Sequence, residues 1–127
     1  MQSLHPRLLG FLEGLCAASV TRYPEYGMYL RGPFVGDAIP PEPEEAESVS
    51  REKLCQFFVC SLSDTSVQRP QEGNYVTDRF FELLKECHPE AKLRFALPET
   101  RGWFDGLDVW LSEPGKQCYF YLDWSVS

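Results

Sequence analysis

The sequence predicts an α+β fold: an antiparallel sheet of three carboxyl-terminal strands, with a candidate fourth near 26–31, and two or three helices packed on one face. Three observations carry the prediction. Apolar residues recur at every second position in Leu107–Val109–Leu111 and again in Cys118–Phe120–Leu122–Trp124–Val126, the period of a strand with one buried face. Between those runs, Ser112–Glu113–Pro114–Gly115–Lys116 offers proline at the second position of a tight turn and glycine, free to take positive φ, at the third. Upstream, apolar residues recur at three- and four-residue spacing, the period of an amphipathic helix.

The first such stretch runs from Pro6 to about Arg22, where Leu4, Leu8, Phe11, Leu12, Leu15, Ala18 and Ser19 mark one helical face. Ser3 is available as a cap, and Arg22 suits the negative end of the helix dipole. Gly10 and Gly14 lie four apart within it. They either line a close backbone approach or are simply tolerated in a packed helix. Pro24 forces Tyr23 out of the α region and ends the helix. Tyr26–Arg31 then alternates as a strand, which Gly32–Pro33 should break.

From there to Ser48 the chain reads as loop, with an acidic, proline-rich segment at 36–49. Pro40, Pro41 and Pro43 interleave with Glu42, Glu44, Glu45 and Glu47, and no basic residue occurs between Asp37 and Ser50. Such a segment is either a solvated, semi-rigid linker or an acidic arm that meets a basic surface. Ser50 ahead of Arg51–Glu52–Lys53 points to a capped helix, although Cys55–Cys60 is apolar enough for a buried strand; helix is the reading adopted for 51–62. Asp64 to Asn74 should be polar loop. A further helix is expected from a Thr77 cap, with Phe80, Phe81, Leu84 and Cys87 as its buried stripe and Pro89 as its stop. Leu93–Leu97 follows as a strand, and Glu99–Gly106 as a connection to the hairpin.

The length of 127 residues, 43% apolar content and 24% charged content are those of one folded globular domain spanning 1–127. The amino terminus carries neither the long uncharged run of a signal peptide nor a membrane span. Five cysteines make an odd count, which without an export signal argues for reduced thiols and a cytoplasmic setting. A net charge of −7 repels phosphate backbones and disfavours nucleic acid as a partner. It suits a basic protein.

Motifs for chemistry are incomplete. His88–Pro89–Glu90 matches the H-x-E half of the zinc deaminase signature, but the P-C-x-x-C half is missing. Cys55 and Cys60 are spaced acceptably for zinc, yet no second pair accompanies them. Cys87 and His88, adjacent in sequence, point about 100° apart on a helix and are poorly placed to exchange a proton. Neither a G-x-S-x-G elbow nor a phosphate-cradling glycine loop occurs. No metal or cofactor is therefore expected.

What remains is a mixed aromatic and acidic surface. Asp108, Trp110, Tyr119, Tyr121 and Asp123 fall on the side of the hairpin opposite the core-facing residues, and Trp103 and Asp105 lie in the glycine-bounded loop before it. Aromatic residues amid carboxylates are either interface anchors ringed by charge or, if a helix covers that side too, part of a second core. With the glutamates at 42, 44, 45 and 47, these residues form the candidate partner-binding set. The leading expectation is a small acidic inhibitor or immunity-type protein, an antitoxin that masks a basic surface of a toxin or nuclease. The alternatives are a small-ligand-binding domain or enzyme with a carboxylate-lined pocket between helices and sheet, and an adaptor subunit of a larger complex.

Overall fold

The computed structural model describes residues 4–22, 26–42, 51–62, 70–100 and 103–126. Helix α1, Pro6–Arg22, has the bounds its spacing predicts, and Leu8, Leu12, Leu15 and Ser19 are its buried side. A methyl group added at Gly10 or Gly14 would meet nothing within 4 Å, so neither glycine marks a close approach. Gly10→Ala and Gly14→Ala are each expected to stabilise the protein by about 0.5–1 kcal/mol through helix propensity. Denaturant unfolding checks this, and a loss of stability from either change would contradict the open surroundings described here.

Strand β1, Tyr26–Phe34, does not stop at Gly32–Pro33. Arg31 pairs with Tyr121 and Phe34 with Tyr119, so β1 spends three residues where its partner spends two. A β-bulge accommodates the proline at the sheet edge, and the strand runs on past it. A short 3₁₀ turn at Gly36–Ala38 follows, with none of its residues buried. The expected loop after Pro33 is thus corrected at Phe34 and at Gly36–Ala38, Ile39–Glu42 carries no helix or strand, and 43–49 lies outside the described residues.

Helix α2 spans Arg51–Leu62 and helix α3 spans Pro70–Cys87. The second is longer than the sequence suggested. Proline is well suited to a first helical position, where its missing N–H has no partner to lose, and Thr77, expected as the cap, is instead a fully buried residue inside the helix. Strand β2 is Lys92–Ala96, one residue earlier than expected. The connection after it holds two paired dipeptides, β3 (Glu99–Thr100) and β4 (Trp103–Phe104). Strands β5 (Gly106–Glu113) and β6 (Lys116–Val126) form the predicted hairpin. Gly115 takes φ 73° in its turn, the left-handed conformation that glycine adopts without strain.

The sheet order is β1-β6-β5-β2, antiparallel throughout. Leu107, Val109, Leu111, Cys118, Phe120 and Leu122 form its inner face and share one apolar cluster with Leu8 and Leu12 of α1, Phe57 and Phe58 of α2, and Phe80, Leu83 and Leu84 of α3. Helix α1 also reaches the outer edge of β1. The Met28 N–H donates to the Ser19 hydroxyl at 3.3 Å, and the Leu30 N–H donates to the Cys16 sulfur. Burial pushes that thiol up to about 11, which leaves it protonated and unreactive at neutral pH.

His88 joins three elements. It is buried, its Nδ1 lies 2.8 Å from the Glu113 carboxylate at the end of β5, and its Nε2 accepts the His5 backbone N–H at 3.3 Å just ahead of α1. An accepting Nε2 requires the ring proton on Nδ1, from which it is donated to Glu113. Both nitrogens are engaged in holding the fold.

Candidate functional site

Strand pairing places the candidate residues on the outer face in rows. One row runs Phe34–Tyr119–Trp110–Arg94 across β1, β6, β5 and β2; the next runs Arg31–Tyr121–Asp108–Ala96; beyond it stand Tyr29, Asp123 and Gly106. The middle of the first row is buried. Trp110 and Tyr119 are only 4% and 6% exposed, although the described helices pack on the opposite, inner face. The segment from Val35 to Glu42 turns back across the sheet after β1, reaching Trp110 on β5 and Arg94 on β2, and can be called a strap.

Among the described residues, a hydrogen bond and an ion pair tie the strap down. The Trp110 indole N–H donates to the Pro40 carbonyl at 3.1 Å, and the Glu42 carboxylate lies 3.8 Å from the Arg94 guanidinium. Between the strap and the end of the hairpin is a cleft of about 260 Å³, lined by Ile39, Pro40, Pro41 and Glu42 on one side and by Trp110, Ser112 and Gln117 on the other. The alternative reading of the sequence places a carboxylate-lined pocket between helices and sheet, a different place from this one. This cleft lies outside the sheet and has one carboxylate, Glu42.

The aromatic rings beneath and beside the strap form a ladder. Ring centroids are 5.1 Å apart for Trp110 and Tyr119, 5.9 Å for Tyr119 and Tyr121, and 5.9 Å for Phe34 and Tyr119, all within the range of favourable aromatic pairing. The bulge in β1 makes this possible, because regular alternation would have put Pro33 opposite Tyr119. No family model, curated protein or solved structure matches this chain. The chemistry of the face is what bears on function.

Electrostatically, the second row is the sensitive part. The Tyr119 hydroxyl donates to Asp108 at 2.6 Å. Burial raises the Asp108 carboxyl above the ordinary aspartate range, and the hydrogen bond offsets only part of that rise. Tyr119 is likewise raised, first by burial and then by the adjacent carboxylate, so its hydroxyl stays protonated. For a carboxyl raised on folding, the stability it contributes is fully present below its unfolded value and is lost as pH climbs through the folded one. Asp108→Asn retains an oxygen acceptor for Tyr119 and removes the charge. This variant is expected to be more stable than the parent at neutral pH and equal to it well below the usual aspartate pKa of about 3.9. Urea unfolding at both pH values measures the difference, and a less stable variant at neutral pH would show that the charge is welcome.

The remaining candidates are distributed unevenly. Tyr121 and Asp123 are half-buried, and Asp123 faces Arg31 at 3.8 Å. Asp105 is exposed, and its N–H donates to the Pro98 carbonyl at 2.8 Å. Trp103 is placed by its backbone in β4, opposite Thr100, but its side chain is outside the described residues, as are Glu44, Glu45 and Glu47 entirely. Tyr29, Arg31, Phe34, Pro40 and Arg94 belong to the face and were not singled out from sequence. Among the described residues, no group of three or more His, Cys, Asp or Glu side chains could hold a metal ion, and no helix is long and apolar enough to cross a membrane.

Proposed function

We propose that this chain is a protein-binding domain of the inhibitor or immunity type, whose acidic surface masks a basic surface on a toxin or nuclease. The observation that carries the reading is the composition of the uncovered part of the outer face. There Tyr29 and Tyr121 are half-buried beside Asp108 and Asp123, in a chain of net charge −7 whose Glu42, the first glutamate of its acidic run, lies against Arg94 on the same side of the sheet. Aromatic anchors slow dissociation, while complementary charge speeds encounter.

The test is retention of partners from native lysate by the tagged full chain and by a charge-reversed form carrying Glu44→Lys, Glu45→Lys and Asp123→Lys, with quantitative mass spectrometry. A basic protein held near stoichiometry by the parent, released by salt and depleted roughly tenfold with the reversed form is the expected result. Equal retention by both forms, or retention of no protein, would count against the reading.

A further inference from the structure

The strap is chemically unlike an ordinary loop lying on a sheet. It presents Ile39–Pro40–Pro41 to an indole, and the Trp110 N–H donates a hydrogen bond to the Pro40 carbonyl there. Ile39 has φ −77° and ψ 121°, close to polyproline II geometry. A polyproline II strand has no internal hydrogen bonds, so its carbonyls are free for donors such as an indole N–H, and its proline rings pack on flat aromatic surfaces. Trp110, Tyr119, Tyr121 and Phe34 supply such a surface.

The strap is also lightly held. Its 3₁₀ turn buries no residue, Val35 is 52% exposed, and its ion pair to Arg94 is long and open to solvent on both sides. Exposed pairs of this kind add little to stability. Along its flank the cleft against Ser112 and Gln117 stays open.

We propose that the aromatic face under the strap is a docking surface for an extended, proline-rich basic segment of a partner protein, occupied in cis by the chain's own Ile39–Pro41. The strap then acts as a built-in competitor. A partner segment displaces it, and the apparent affinity is lowered by the fraction of molecules in which the strap is seated. This inference rests on the protein-binding reading and names the part of the partner that engages.

The experiment uses the full chain labelled with fluorotryptophan, the Trp110 resonance being assigned with Trp110→Phe. Two synthetic peptides of equal charge are titrated, one of repeated Pro-Pro-Arg triplets and one of repeated Gly-Gly-Arg. The expected result is a saturable shift of the Trp110 resonance with the proline peptide alone. In the strap-loosened double variant Pro40→Gly/Pro41→Gly, binding should tighten by roughly tenfold. Equal response to both peptides would overturn this inference and leave the charge-based function standing. No response to the proline peptide in the parent or the variant would overturn it too, as would weaker binding by a variant whose circular dichroism matches the parent. Should the variant fail to fold, the parent's discrimination between the two peptides decides.

Discussion

Truncating Phe80 to alanine should cost about 3–5 kcal/mol, the range for a fully buried phenylalanine whose cavity the neighbours do not refill. Phe80 is 0% exposed, and its ring lies 5.7 Å from Phe58 on α2, 5.9 Å from Phe81 on α3 and 6.3 Å from Phe95 on β2. It is the ring through which two helices and the last strand of the sheet meet. Domains of this size are stable by only about 5–15 kcal/mol, so the loss is a large part of the total. Phe80→Leu, which keeps most of the volume, should cost less than half as much. Chemical denaturation gives both values. A loss under about 1.5 kcal/mol for Phe80→Ala would mean that α2, α3 and β2 do not meet through this ring.

The second large effect comes from adding an atom. Gly106 opens β5, and a Cβ built there would lie 2.5 Å from the carbonyl oxygen of Leu122 in β6. Main chain on the neighbouring strand has little room to yield, and overpacking of this sort costs about 1–3 kcal/mol. Gly106→Ala should therefore destabilise, whereas the same substitution at Gly10 or Gly14 should stabilise. Measured together by equilibrium unfolding, the three variants form an internal control. If Gly106→Ala proved neutral, β5 and β6 could not approach each other as closely as described.

Much of the architecture was legible from residue order because local chemistry and packing agree there. The alternation in Leu107–Leu111 and Cys118–Leu122 assigned each residue to its side of the sheet, and Pro114–Gly115 fixed the turn between them. Helix α1 declared both its ends. The failures arose where a local rule met a non-local partner. Gly32–Pro33 is a stop signal taken alone, but β1 carries it as a bulge because Tyr119 and Tyr121 of β6 give Phe34 two rings to stack on. Thr77 resembles a cap, and only the packing of α3 reveals it as a buried helical residue.

The site was harder to read for the same reason. Asp108, Trp110, Tyr119, Tyr121 and Asp123 were assigned to one face correctly by periodicity alone. What covers part of that face was not visible, because Pro40 and Glu42 reach Trp110 and Arg94 across long stretches of sequence. Gly106 gave no hint of its role, since nothing in the sequence says how near Leu122 comes.

The contact between α1 and the first strand bears on how this protein behaves when crowded with copies of itself. A sheet that ends in unpaired N–H groups invites another chain to add a strand, which is how ordered aggregates begin. At the β1 end, Ser19 and Cys16 already accept two of those N–H groups. At the opposite end the outermost strand carries Lys92 and Arg94, both exposed, and a second copy arriving there in register would bring like charges together. Growth by strand addition is thus discouraged from both sides, and the chain can expose an aromatic face without templating its own polymer.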